Sequence, residues 1–151
     1  MENLNAAFEL ICTEEFSFLV NEYNFSIIES KSNNYGCFIT YKNTTTAVKV
    51  NMERGEISIE CFRLKNGEIP ERPIFFKPEE ELLFFDLNDL LVIKGEMQIE
   101  QNYKLMSHRK YLRIKMNEFA TLLRKHGVSV LVGDFSLLSK IKDAVKARTT
   151  G

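Results

Sequence analysis

A chain of 151 residues is long enough to bury about two-thirds of its unfolded surface in one core without help from disulfides or metals. At 44 % apolar residues it has no run approaching the roughly 18 that a membrane-spanning helix requires, so a membrane protein of that kind is excluded. The formal charge of −1 hides a split: residues 1–100 carry 9 Lys/Arg against 18 Asp/Glu, and residues 101–151 carry 11 against 3. Such a split suits a nucleic-acid face, a face for a charged protein partner, or two halves that neutralise each other on packing.

The opening Met1-Glu2-Asn3-Leu4-Asn5 is acidic and polar where a secretory signal is basic and then apolar, so a cytoplasmic protein is expected. Cys12, Cys37 and Cys61 are odd in number and widely spaced, which fits buried free thiols in a reducing compartment. From Leu4 to about Tyr23, Leu4, Phe8, Ile11, Phe18 and Leu19 recur at helical spacing and predict an amphipathic helix. Thr13 followed by Glu14-Glu15 offers a point at which a second helix restarts.

Between Phe25 and Leu64 the period changes to two. Cys37, Ile39 and Tyr41, then Val48, Val50 and Met52, then Ile57, Ile59 and Cys61 alternate with wetter residues, and Phe25–Ser30 predicts a strand before them. Ser32-Asn33-Asn34, Thr44-Thr45 and Arg54-Gly55 mark the turns. If Arg54-Gly55 is a two-residue turn, Met52 faces Ile57, Val50 faces Ile59 and Lys49 faces Glu60, while Tyr41 meets Val48. Every pair then matches in polarity, which predicts a four-stranded antiparallel meander.

Ile74-Phe75-Phe76 offers a fifth, edge strand, and Pro78 before Glu79-Glu80-Glu81 has the form of a helix start. Asp86 to Leu91 predicts a short helix ending near Gly95. From about Tyr103 to His126, Leu105, Leu112, Met116, Phe119 and Leu123 form one stripe, with Gly127 as its stop. Val128–Val132 is too short to classify, Asp134 is a candidate N-cap for a last helix through Leu137, Ile141, Ala144 and Val145, and the final residues are expected to fray. With no repeat and no linker, residues 1–151 read as one α+β domain: an N-terminal helix, a four- or five-stranded antiparallel meander, and C-terminal helices on one sheet face.

The chemistry-bearing residues argue against catalysis. His108 and His126 lie 18 positions apart and no Cys-x-x-Cys or His-Glu-x-x-His occurs, so neither a metal nor another cofactor is expected. No serine sits in a Gly-x-Ser-x-Gly elbow and no glycine-rich phosphate loop is present. Glu29-Ser30-Lys31 matches the Glu-x-Lys end of a metal-dependent nuclease motif, but the first aspartate of the chain is Asp86, so the upstream acid is missing. Lys110 and Arg113, with Arg124, flank one side of the apolar stripe and Lys115 the other, as side chains do at a core edge. Arg109 falls within the stripe, so either the helix starts after it or it reaches a carboxylate of the acidic half.

Phe18-Leu19-Val20-Asn21-Glu22-Tyr23 closing a first helix, the compact meander, Phe85-Asp86-Leu87-Asn88-Asp89-Leu90-Leu91, and Leu131-Val132-Gly133-Asp134-Phe135-Ser136 together resemble small bacterial proteins of the polymorphic-toxin immunity type. That resemblance implies a non-catalytic protein that binds and blocks one cognate toxin. Glu53, Glu56, Glu79, Glu80 and Glu81 are then the candidate contacts, since an acidic surface speeds association with a basic partner. Two alternatives stand beside it: nucleic-acid binding through Lys110, Arg113 and Lys115, and an enzyme or small-ligand binder whose site is assembled from dispersed residues. Oligomeric state is left open by the sequence.

Overall fold

Three rows of apolar side chains run across the strands, Cys37–Met52–Ile57, Ile39–Val50–Ile59 and Tyr41–Val48–Cys61–Phe85, each a set of directly opposed residues. The computed structural model that places them describes residues 4–71, 81–96 and 109–150. The rows belong to β2 (Gly36–Lys42), β3 (Thr46–Glu53), β4 (Glu56–Arg63) and β5 (Phe84–Asp86). With β1 (Ser26–Ser32) they form one antiparallel sheet in the order β1-β2-β3-β4-β5. Every opposed pair expected from the alternation occurs, because a slip of one residue would turn all three rows toward water.

Two details of the sheet differ from the sequence reading: the ion pair that opposed Lys49 and Glu60 suggest, and the place of the fifth strand. Lys49 does stand opposite Glu60, yet its ammonium lies 4.2 Å from the centre of the Phe38 ring, and Glu60 Oε1 accepts from Asn51 Nδ2 at 3.2 Å. The fifth strand is Phe84–Asp86. Residues 81–83, expected to continue a helix from Pro78, are extended and lead into it, with Arg63 N–H donating to Leu83 O at 2.7 Å. Ile74-Phe75-Phe76 lies outside the described residues.

Helices cover the face that bears the three rows. The N-terminal segment is two helices, α1 (Leu4–Glu15) and α2 (Ser17–Tyr23). The break falls at Phe16, whose ring is fully buried, rather than at Thr13, whose hydroxyl donates back to Leu10 O within α1. Asn24 in the left-handed region (φ 61°) ends α2 and turns the chain into the sheet. After β5, Asp86 starts α3 (Leu87–Ile93) with a reciprocal cap: its side chain accepts from Asn88 N–H, and Asp89 Oδ2 accepts from Asp86 N–H at 3.1 Å.

The stripe Leu112, Met116, Phe119 and Leu123 is buried along α4 (Arg109–His126), which packs chiefly on α1. Leu105 and His108 lie outside the described residues. Gly127 does not stop the chain with a left-handed turn. It leads directly into α5 (Val128–Leu131), and glycine is needed because a Cβ there would come 2.7 Å from Leu123 O. The last helix, α6, spans Leu138–Thr150 and runs through the residues expected to fray. Asp134 accepts from Ser136 N–H one turn ahead of it, so it shapes the approach and is not the N-cap.

One hydrophobic cluster joins α1, α2, the sheet, α3, α4, α5 and α6. Asn43 ties three of these together outside the core. Its Nδ2 donates to Tyr23 O at the end of α2 (3.1 Å) and to Leu131 O at the end of α5 (3.2 Å), while its Oδ1 accepts from Thr45 and Thr46 N–H.

Candidate binding surface

The turns β1–β2 and β3–β4 meet at one end of the sheet. Asn33 Oδ1 accepts from Tyr35 N–H (2.8 Å) and Gly36 N–H (3.1 Å), an Asx-type turn in which the Asn33 side chain holds the Tyr35 backbone and leaves its ring free to face outward. Tyr35 O in turn accepts from Arg54 N–H at 3.2 Å, so the two turns are tied by their backbones. Gly36 makes the approach possible: a Cβ would sit 2.0 Å from Met52 O. Asn5 Nδ2 donates to Asn33 O, anchoring the same turn to α1.

The β3–β4 turn is the expected two-residue loop, with both Arg54 (φ 54°) and Gly55 (φ 80°) in the left-handed region. That geometry matches a type I′ hairpin, whose first position favours Asn, Asp or Gly over a long side chain. Glu53 and Glu56 are therefore directly opposed and both exposed, an arrangement of like charges that weakens a sheet. Beside them a shallow groove of about 480 Å³ is lined by Asn33, Tyr35, Phe38, Asn51, Glu53 and Glu60, among others. Tyr35 stands at its rim with 68 % of its surface exposed. The assembly offers two aromatic rings, Tyr35 and Phe38, amide groups, and the carboxylates Glu53, Glu56 and Glu60 beside the cations Arg54 and Lys49.

Of the sequence-predicted acids, Glu53 and Glu56 come together here. Glu81 does not: it is exposed and pairs with Arg63 at 3.4 Å, at the far end of β4, about 23 Å along an eight-residue strand from Glu56. Glu79 and Glu80 lie outside the described residues. Tyr35, Asn33 and Gly36 were not singled out as site residues. An aromatic flanked by Asn-Asn and Gly in an otherwise polar turn was the signal available.

The basic residues of α4 have different surroundings. Arg113 bridges Glu14 (2.9 Å) and Glu15 (3.1 Å) of α1, which hold its guanidinium pKa above the usual value, Glu14 first. Arg124 pairs with Glu22 of α2 and lies over the Phe18 ring, and Lys115 pairs with Glu118 at 3.1 Å. Lys110 is exposed near the Tyr111 ring. Arg109 opens α4, exposed, on a groove shared with Glu15, Arg113 and Ile114. The acids that receive Arg113 and Arg124 come from α1 and α2, whereas Lys115 is met within α4 by Glu118.

Chemistry at the sulfurs is disfavoured by burial. Cys12, Cys37 and Cys61 are buried free thiols. Desolvation pushes Cys12 up to about 12 and Cys37 up to about 11, and Cys61 is raised as well, by burial first and then by the charges of Asp86 and Glu60. Cys12 Sγ lies 3.7 Å from the Tyr41 hydroxyl, whose pKa is raised by burial first and then by the thiol beside it. Among the described residues no group of three His, Cys, Asp or Glu side chains is placed to hold a metal ion, and no helix is long and apolar enough to cross a membrane. His126 Nε2 lies 3.5 Å from Glu96 Oε1 at the end of α4. No protein-family model, curated protein or solved structure matches this chain.

Proposed function

We propose that this chain is a non-catalytic protein-binding module of the immunity type, acting in the cytoplasm and blocking a cognate toxin by direct contact at the hairpin end of the sheet. The observation that carries the reading is the pairing of exposed Glu53 and Glu56 across a strained Arg54 turn, next to the exposed Tyr35 ring. Like charges opposed in a hairpin and a long side chain at positive φ both cost stability, and such costs are retained where a surface has work to do. An aromatic beside carboxylates suits a basic protein surface: the ring supplies contact area and the acids steer the encounter.

Nucleic-acid binding through α4 has less in its favour. Arg113 and Arg124 already face carboxylates of α1 and α2, so a phosphate would have to displace them. The test is reconstitution with the toxin-like product of a neighbouring gene. A salt-sensitive complex is expected, with association slowed about tenfold or more in E53K/E56K and dissociation quickened in Tyr35→Ala. If neighbouring genes encode no such protein and none is captured from the native host, the proposal fails.

A further inference from the structure

The β1 margin of the sheet carries a second surface, built from Glu29, Ser30 and Lys31 beside the β1–β2 turn. β1 ends the strand order, and its burial pattern is exposed along nearly its whole length. Its backbone phase can be read from the turn that follows. Asn33 N–H donates to Gly36 O at 2.8 Å, so Asn33 and Gly36 form a hydrogen-bonded pair. Antiparallel pairs alternate, so Lys31↔Phe38 and Glu29↔Thr40 are hydrogen-bonded, whereas Ser32↔Cys37 and Ser30↔Ile39 are not. The N–H and C=O of Ser30 and Ser32 therefore point away from β2, toward the open margin.

Charges along this margin are placed with the same phase. Glu29 and Lys31 lie on one face of β1, flank Ser30, and form an exposed ion pair of 3.0 Å. We propose that β1 pairs antiparallel with β1 of a second copy about a twofold axis through Ser30, joining two five-stranded sheets into one. Ser30 then exchanges both backbone hydrogen bonds with Ser30 of the second copy. Glu29 stands opposite Lys31 of the second copy, and Lys31 opposite its Glu29, in the closer, non-hydrogen-bonded positions. Registers centred on Glu29 or on Lys31 place like charges opposite each other, so charge selects the one centred on Ser30.

A lysine and a bulge on an edge strand ordinarily discourage strand addition. Here the lysine is matched by the glutamate two residues before it, which makes the edge repel most strands and complement its own copy. The bulge, between Ile27 and Glu29, ends the regular edge and limits the pairing to a few residues. Ile27 and Ile28, 46 % and 52 % exposed, stand at the bulge where the paired stretch ends. The contact is isologous and closes on itself, so it gives a dimer and not a fibre.

Sedimentation over a concentration series tests this, with circular dichroism checking that each variant folds. The wild-type chain is expected to pass from 17.6 kDa to twice that mass as concentration rises. E29K and K31E should each weaken the dimer about tenfold or more. An equimolar mixture of the two should regain it as a heterodimer, because every opposed pair is again unlike. Ser30→Pro removes an outward N–H without touching the β1–β2 ladder and should abolish association. A chain that stays monomeric at about 1 mM, a dimer that survives Ser30→Pro or both reversals, or a mixture that fails to recover would each overturn the proposal.

Discussion

Asn43 fastens α2, α5 and the β2–β3 turn through one side chain. Five hydrogen bonds meet at one amide, two from its nitrogen to helix-end carbonyls and three to its oxygen from the turn it begins. Helix ends leave carbonyls unsatisfied, and those of Tyr23 and Leu131 are met by this one donor. Replacing Asn43 with Ala strands both carbonyls and loosens the β2–β3 turn, so a loss of about 2–3 kcal/mol is expected in denaturant unfolding. Thr46 beside it is fully buried, and its hydroxyl donates to Val130 O at 2.8 Å, fastening the same turn to α5. Neither role was legible in the sequence: Asn43-Thr44-Thr45-Thr46 announces a turn, and nothing local says what the turn will meet 84 or 88 residues later.

At the scale of elements, the parts that local chemistry determines were the parts read correctly. The registers of β2, β3 and β4 follow from alternation and two-residue turns, and the α4 stripe follows from helical period. What was misread depends on partners remote in sequence. Leu83, Phe84 and Phe85 have no alternation strong enough to mark a strand; β5 exists because β4 has an edge to fill. In sequence Asp134 reads as the N-cap of α6, but its carboxylate accepts from Ser136 N–H one turn ahead of that helix. That bond holds the Asp134 pKa below the usual carboxylate value. A depressed pKa adds stability above the unfolded value near 4 and forfeits it as pH falls through the folded value. Asp134→Asn keeps the acceptor and removes the titration, so its unfolding free energy should vary less with pH below about 4 than that of the wild type.

For the whole molecule, the charge split of the sequence resolves into an internal and an external part. Arg113 and Arg124 cross from α4 to Glu14, Glu15 and Glu22, so part of the opposition between the two halves is spent holding helices together. A double-mutant cycle on Arg124 and Glu22, both about half exposed, should return a coupling of about 0.2–1 kcal/mol that shrinks in high salt. A coupling near zero at low salt would mean that the ion pair adds nothing and that the Phe18 contact alone fixes Arg124. The external part includes the hairpin end, where Glu53 and Glu56 stand exposed beside the Tyr35 turn, which the sequence reading did not single out.

The meander joins each strand to the next in the chain, so the sheet is assembled from contacts between near neighbours. The clasp between α1 and α4 is the reverse: Glu15 meets Arg113 and Asn117 across 98 and 102 residues. Closing a loop of that length costs entropy before any contact rewards it, so the order of events in folding is set by topology. All five strands precede α4 in the chain, so during synthesis the acids of α1 are made well before the cations that pair with them.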